Sequence, residues 1–186
     1  MRKLFALLLV LCLMPFAAMA EMVDYDFGDF TMTIPADIPG NIGEKVSNQV
    51  WFTLYPEYDE SHQFHPNLNC VWGNGYEDLS KYVPAELGQT ILNGMVQNLK
   101  SQGIAISNAE VIMGEIGAID GEYCISIGYT YDADYTNAGI NLQVTNYLIQ
   151  FMVSIPEKGT FTFSYTTNDI NTAQVASDIL ASIKWN

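Results

Sequence analysis

The chain has 186 residues, 49% of them hydrophobic, and a formal net charge of −14. This length is sufficient for one domain with a sizeable core. All 21 acidic residues and only five lysines follow residue 20, a net charge of −16, and no arginine follows it. Nucleic acid and anionic lipid surfaces are bound through clustered Lys and Arg, so the composition argues against both. The simplest interpretation of the acidity is solubility outside the cell.

Residues 1–20 have the pattern of a secretory signal peptide. Two basic residues open the segment, and an apolar run too short to cross a bilayer follows over residues 4–16. Ala18 and Ala20 are the small residues that signal peptidase requires. We therefore expect cleavage after Ala20, a secreted or extracytoplasmic protein, and a single mature domain over residues 21–186.

The remaining features of the leader and the mature chain predict no membrane anchor. Cys12 lies inside the apolar run after Leu11, whereas a lipoprotein signal places a small residue before its cysteine. No later apolar segment approaches the roughly 20 residues of a membrane helix. We expect no integral membrane segment after residue 20.

The first part of the mature chain predicts strands separated by turns. Residues 30–35 alternate apolar side chains with threonines and end in a proline, as a half-buried strand does. Two further apolar runs, over residues 50–55 and 68–72, predict strands. A polar connection over residues 56–67 separates them.

A helix is predicted next, because large apolar residues recur every four positions and form one stripe. The stripe consists of Val83, Leu87, Ile91, Met95 and Leu99. Gly103 predicts its end. The start is open: Pro84 suits a first helical position, while Asp78 or Ser80 could cap an earlier turn.

Strands return after this helix. Residues 111–116 predict one strand, and Asp120-Gly121 predicts a tight turn. Strict alternation follows over residues 123–131. Residues 142–155 carry apolar side chains on both faces, which is typical of a central strand covered on two sides.

The chain closes with a strand and a helix. A turn over residues 156–159 leads into the strand 161–165. Asn171 is the predicted cap of the last helix, with Gln174 as its reciprocal partner. The buried stripe of this helix is predicted to be Val175, Ile179, Leu180 and Ile183.

The order of elements predicts an α+β fold. Hairpin-length connections between the later strands favour an antiparallel sheet. Two amphipathic helices have to bury their apolar stripes against that sheet. We expect an antiparallel β-sheet sandwiched by the two main helices.

Four local patterns make the mature chain similar to the PsbP-like superfamily, which includes DcrB-like and LpqN-like exported proteins. Residues 30–35 (FTMTIP) resemble its opening strand, and residues 119–123 (IDGEY) resemble its mid-chain glycine turn. Residues 161–165 and 179–184 resemble its closing strand and helix. The resemblance implies an α/β/α sandwich that docks onto macromolecules or lipids without catalysis. It implies no functional residue, because none of these patterns is a site.

His62 and His65 form the sharpest chemical cluster. They are the only histidines, and carboxylates stand nearby at Glu57, Asp59 and Glu60. Imidazole with carboxylate suits zinc or another first-row ion. Spacing by three in a loop does not place two side chains on one face, so a solvated loop is the favoured interpretation. We expect no cofactor.

Asp132, Asp134 and Asn137 could offer oxygens to calcium. An EF-hand loop needs a glycine at its sixth position and a glutamate at its twelfth. Counted from Asp132, these positions hold Asn137 and Gln143. A polar hairpin tip is the favoured interpretation.

Cys70 and Cys124 are the cysteines of the mature chain, and both lie in predicted strands. Export to an oxidising compartment makes a disulfide between them possible. Cys70 shares a face with Leu68 and Trp72, whereas Cys124 lies opposite its neighbours. A disulfide and two buried thiols both remain open at this point.

Aromatic residues are numerous enough to supply a binding surface. The candidates are Trp51, Trp72, Tyr129, Tyr131, Tyr135 and Tyr147. On strands, such residues are more often half-buried core or edge positions.

The favoured function is an exported, non-catalytic binding module that docks onto an envelope or extracellular protein. One alternative is a binder of a small apolar ligand or lipid between the first helix and the sheet. The other is a thiol- or metal-dependent extracellular hydrolase. Catalysis has little support, because the chain lacks a G-x-S-x-G elbow and phosphate or dinucleotide fingerprints.

Overall fold

A computed structural model describes residues 21–36, 38, 40–41, 50–54, 64 and 66–186. Over these residues the chain is mixed α/β, with antiparallel sheets and two α-helices. The helices are α1 (Pro84–Ser101) and α2 (Ala173–Ala181). The strands are β1 (Met22–Asp26), β2 (Phe30–Pro35), β3 (Gly40–Asn41), β4 (Val50–Leu54), β5 (Asn67–Gly73), β6 (Ala105–Ile119), β7 (Glu122–Asp134), β8 (Gln143–Ile155), β9 (Gly159–Thr167) and β10 (Lys184–Trp185).

The described strands form two antiparallel sheets. The larger has seven strands in the order β3-β4-β5-β9-β8-β7-β6, and the smaller has three in the order β1-β2-β10. The long strand predicted from residue 142 to residue 155 is β8, which pairs with β7 on one side and β9 on the other. Its central position is confirmed, and it explains why both of its faces carry apolar residues.

Alternation along β7 divides its side chains between two hydrophobic clusters. Ile125, Ile127 and Tyr129 pack with Leu92 of α1, on what we call the α1 face of the seven-stranded sheet. The opposite face packs against β2 and α2 and is here called the α2 face. Its buried residues include Phe161, Phe163 and Tyr165 of β9, Phe30 of β2 and Ile179 of α2. Successive strand residues point to opposite faces, so one strand serves both clusters.

Both proposed starts near the first helix are used, but by different elements. Pro84 is the first residue of α1, as its missing N–H allows. Asp78 caps a separate short 3₁₀ turn over residues 79–81, where its carboxylate accepts a hydrogen bond from the Ser80 N–H at 3.2 Å.

Helix α1 lies close against the sheet because glycines stand at the contact. A Cβ at Gly88 would lie 2.8 Å from Cγ2 of Ile127, and a Cβ at Gly114 would lie 3.0 Å from the backbone N of Ala85. Leu92 is fully buried at the centre of this contact. Around Gly88 and Gly114 this contact leaves no room for a ligand, whereas a cavity of about 350 Å³ opens farther along α1, beside Val96 and Ala109.

The predicted cap of the second helix is wrong. The capping side chain is that of Asp169, not that of Asn171. The Asp169 carboxylate accepts a hydrogen bond from the Asn171 N–H at 3.0 Å and caps a 3₁₀ turn over residues 170–172. Helix α2 continues from that turn. The side chain of Gln174 donates to Asp178 instead, at 2.7 Å.

The C-terminal strand β10 is hydrogen-bonded to the turn between β6 and β7. Asp120 and Gly121 both have positive φ, 50° and 86°, which confirms the predicted tight turn. The Asp120 carboxylate accepts hydrogen bonds from Nζ of Lys184 at 2.8 Å and from the backbone N–H of Trp185 at 2.9 Å. These two donors lower the pKa of Asp120. Among the described residues, no helix is long and apolar enough to cross a membrane.

We predict that Phe30→Ala is strongly destabilising. Phe30 is fully buried and makes edge contacts with Phe161 and Phe163, at ring-centroid distances of 5.8 and 5.7 Å. Truncation of a buried phenylalanine costs about 3–5 kcal/mol of unfolding free energy. Chemical denaturation measures this loss. The control Tyr76→Ala removes a ring that is 54% exposed, and a comparable loss in both variants would contradict the assignment of Phe30 to the core.

Candidate functional site

Two of the tyrosines predicted for a binding surface belong to the core instead. Tyr129 is fully buried and Tyr131 is 7% exposed, both on the α1 face. The hydroxyl of Tyr129 donates to Oε1 of Gln150 at 3.2 Å. Burial raises the pKa of both phenols, that of Tyr131 to about 12. Neither side chain is available to a partner, so their assignment to a surface is wrong.

The other aromatic candidates are dispersed. Trp72 is half-buried against the hydrophobic cluster on the α2 face, and its Nε1 donates to the carbonyl of Lys158 at 2.8 Å. Tyr135 is half-buried against the hydrophobic cluster on the α1 face. Trp51 lies in β4, but its side chain is outside the described residues. Tyr147 lies in β8 and points to the α2 face, where it belongs to neither hydrophobic cluster.

The histidine prediction is untested, because His62 and His65 lie outside the described residues. Within the described part of the chain, no group of three or more His, Cys, Asp or Glu side chains is placed to hold a metal ion.

Cys70 and Cys124 are both buried free thiols on the α2 face. They lie in β5 and β7, which β9 and β8 separate, so three strand spacings stand between them. At about 4.8 Å per spacing the α-carbons are roughly 14 Å apart, and a disulfide needs less than about 7 Å. The geometry favours two thiols over a bridge. Burial raises the pKa of Cys70, and it raises that of Cys124 to about 11.

Asp132 and Asp134 lie at the end of the β6–β7–β8 sheet, where both carboxylates are already hydrogen-bonded. Asp132 accepts from Nδ2 of Asn108 at 2.6 Å and from Oγ1 of Thr145 at 2.7 Å. Asp134 accepts from the Thr136 N–H and from Nε2 of Gln143, each at 2.9 Å. Hydrogen bonds from Thr145 and Asn108 lower the pKa of the Asp132 carboxyl, and hydrogen bonds from the side chain and backbone of Thr136 and from Gln143 lower that of Asp134. The donors also fix the orientation of both carboxylates.

A cavity of about 520 Å³ opens beside these carboxylates, and we call it the acidic cleft. It is formed by residues 105–107 of β6, 132–134 of β7 and 143–145 of β8. No lysine lines it. The cleft therefore offers two oriented, ionised carboxylates without a neutralising cation.

The acidic cleft adjoins a part of the α2 face that lies over β7 and β8. Three neighbouring pairs across these strands form it, and we call it the open face: Ser126 with Phe151, Gly128 with Ile149, and Thr130 with Tyr147. All of these side chains except Gly128 are half-buried, although both strands lie inside the sheet. Tyr147 and Ile149 pack into neither core cluster.

The strand β6 borders the open face closely, and Gly128 makes this possible. A Cβ at Gly128 would lie 3.1 Å from Cβ of Met113 and 3.4 Å from Cγ1 of Ile112. The missing side chain leaves room for these two residues at the margin. The margin of the open face is therefore apolar beside Gly128.

A groove of about 300 Å³ lies at the other end of the open face, beside α2, and we call it the α2 groove. Cys124, Ser126 and Phe151 form its sheet side, and Ser177 and Leu180 form its helix side. Its charged lining residue, Asp120, is already paired with Lys184 at 2.8 Å. The groove is thus close to neutral, and its lining combines polar with apolar groups.

Sequence reasoning identified Tyr147 but missed the open face around it. The apolar residues on both faces of residues 142–155 indicated cover on two sides. This sequence pattern does not indicate that β2 and α2 cover only part of the α2 face. Which half of a face stays open depends on where a distant segment packs.

Comparisons with known proteins report the fold alone. No protein-family model and no curated protein matches the chain in sequence. Cyanobacterial PsbP from Synechocystis sp. PCC 6803 has a similar structure, with a TM-score of 0.59 and 15% identity over 92% of this chain and 96% of that one. The Ran-binding protein Mog1p of Saccharomyces cerevisiae is also similar, with a TM-score of 0.53 and 9% identity over 89% of this chain and 94% of that one. The chain therefore has the PsbP-like fold, and the resemblance drawn from its sequence is confirmed.

We predict that Cys70 and Cys124 are both alkylated by iodoacetamide when the protein is unfolded without reductant, and that neither reacts in the native state. Burial and raised pKa values keep the native thiols protonated and inaccessible. Peptide mass spectrometry locates the modification. Alkylation that appears only after reduction would show a disulfide and contradict the strand order.

Proposed function

We propose that this chain is an exported, non-catalytic binding module that docks onto an envelope or extracellular protein through the open face. The single observation that carries the proposal is the half-buried state of Tyr147 and Ile149. These side chains stand on a central strand, yet neither joins a core cluster. A partner that covers them would remove apolar and aromatic surface from water.

The chemistry of the open face supports a protein as the occupant. Tyrosine and aliphatic residues at the centre with hydroxyls around them resemble the apolar core and polar rim of protein interfaces. Tyrosine contributes a large contact area and a hydroxyl at low entropic cost. Thr130 supplies such a hydroxyl beside Tyr147, and Ser126 supplies one beside Phe151.

The acidic cleft adds a preference for a basic group on the partner. Asp132 and Asp134 are held by neutral donors, so their negative charge is not cancelled inside the molecule. A lysine or arginine side chain from outside would complete the pairing. Charge complementarity of this kind speeds association and selects among partners.

The titratable groups that the structure describes favour binding over catalysis. Activated thiols have lowered pKa values and catalytic carboxyls often have raised ones. Here the shifts run the opposite way: the pKa values of Cys70 and Cys124 are raised, and those of Asp132 and Asp134 are lowered.

The fold and the leader are consistent with this proposal. Mog1p, a protein with the same fold, is Ran-binding, so this scaffold has been used to bind a protein. We infer that the two helices enclose the seven-stranded sheet as an α/β/α sandwich, which would give a rigid platform. The signal-peptide pattern of residues 1–20 supports an envelope or extracellular location.

A small apolar ligand is the second candidate, and the α2 groove is the observation that favours it. Its volume of about 300 Å³ matches the lower end of ligand pockets. This candidate places the ligand beside α2, not beneath the first helix where the sequence suggested it.

We predict that the double variant Tyr147→Ser/Ile149→Ser loses its protein partner. The tagged protein would be captured from the envelope and medium of the cells that produce it, and bound proteins quantified by mass spectrometry. Removal of two central interface side chains typically weakens binding by roughly tenfold or more, so the partner should fall to background.

The matched control is Tyr76→Ser/Val71→Ser, whose side chains are 54% and 40% exposed outside the open face. It should retain the partner, and circular dichroism should show both variants folded. Equal capture by the two variants would overturn the proposal. Recovery of a small apolar molecule instead of a protein, displaced by Ala181→Phe in the α2 groove, would support the second candidate.

A further inference from the structure

We infer that residues 114–118 of β6 pair with an extended basic segment of the partner protein, which adds to the seven-stranded sheet as a further strand. This inference rests on the proposed function and deepens it, because it names the backbone edge that the partner uses and the chemistry of the segment that it contributes.

The starting observation is the position of β6 at the end of the sheet. Among the described residues β6 pairs only with β7, so its other side carries backbone N–H and C=O groups with no strand beside them. Such an edge is a template for another strand. It is also 15 residues long, whereas edge strands are often short.

The two halves of this edge differ in regularity. Its pairing with β7 shifts between Ser107 and Glu110 and again between Val111 and Met113, and Asn108 has a φ of 50°. From Met113 to Ile119 the pairing runs residue by residue. Bulges protect an edge against pairing, so the first half is blocked and the second half is free to accept a strand.

The second half is also exposed and carries an apolar side chain. Every residue from Gly114 to Ala118 is exposed, and Ile116 has 60% of its surface in water. Ile116 lies on the α1 face, two positions from Gly114, whose Cβ position is 3.0 Å from the Ala85 N at the start of α1. An apolar residue of an added strand would cover Ile116 there.

The other side of the same segment is acidic and continuous with the open face. Glu115 pairs with Ser126, and Ser126 belongs to the open face. A partner seated on the open face therefore reaches the β6 edge without leaving the protein surface. The residue that it places beside Glu115 meets a carboxylate, which favours lysine or arginine.

The net charge of the chain favours a basic segment of a partner protein over a second copy of this chain as the added strand. Two copies joined edge to edge would bring together two net charges of −16, counted over residues 21–186, with a Glu115 at each edge. Like charges across a strand pair are destabilising. The segment that fits is therefore basic, with alternating apolar residues toward Ile116 and lysine or arginine toward Glu115.

The test uses a fluorescein-labelled peptide of sequence KVKVKVK, titrated into the protein and followed by fluorescence anisotropy, with EVEVEVE as the matched peptide. We expect binding of the lysine peptide only. Glu115→Lys and Ile116→Lys should each weaken binding roughly tenfold, because each places a like charge at the edge. Glu157→Lys and Ile140→Lys make the same changes at exposed positions elsewhere and should stay within about twofold.

Hydrogen exchange supplies the second readout. Bound peptide should slow the exchange of backbone amides within residues 114–118, since an added strand hydrogen-bonds to that edge. Equal loss of binding in the control variants, unchanged exchange in residues 114–118, or a dimer of the unmodified protein in sedimentation would each overturn the inference.

The proposed function fails separately from this inference. A natural partner lost by Tyr147→Ser/Ile149→Ser but retained by Ile116→Lys would leave the docking function intact and refute the added strand. A partner retained by the first variant and lost by the second would refute docking through the open face and support the edge.

Discussion

Aromatic packing between β2 and the centre of the seven-stranded sheet determines the rest of this molecule. Phe30 contacts Phe161, Phe163 and Trp185, with ring centroids 5.5–5.8 Å apart, and this contact seats the three-stranded sheet over β9. The second layer is therefore centred at one side of the α2 face. The part over β7 and β8 keeps half-buried apolar residues, and the docking surface that we propose results from this placement.

The acidic character of the chain complements this apolar surface. Apolar burial supplies affinity without selecting a partner, whereas fixed charges select. Asp132 and Asp134 gain fixed positions from hydrogen bonds with neutral side chains and backbone, so they keep both orientation and charge. Two of the described lysines are engaged elsewhere: Lys81 pairs with Asp78, and Lys184 pairs with Asp120. The surface that results is suited to a partner that is apolar at its centre and basic at its margin.

Local periodicity predicted much of the fold, because the apolar face of a strand or of an amphipathic helix is visible as a repeat among neighbouring residues. The strand at residues 30–35, the apolar stripe of α1 and the central position of β8 were all predictable in this way. The site was not. Alternation shows that Tyr129 and Tyr131 share a face, but only the packing of α1 decides that this face is buried. The sequence also does not show that the Asp169 carboxylate, rather than the Asn171 side chain, provides the cap by accepting from the Asn171 N–H.

Site-specific photocrosslinking at position 147 tests the central claim most directly. Tyr147 would be replaced by a photoreactive benzoylphenylalanine in the cells that make the protein, and Tyr76, an exposed tyrosine outside the open face, would be replaced in the same way as a control. The account predicts a covalent adduct with an envelope or extracellular protein from position 147 and none from position 76. An adduct from position 76 with none from position 147 would contradict docking through the open face.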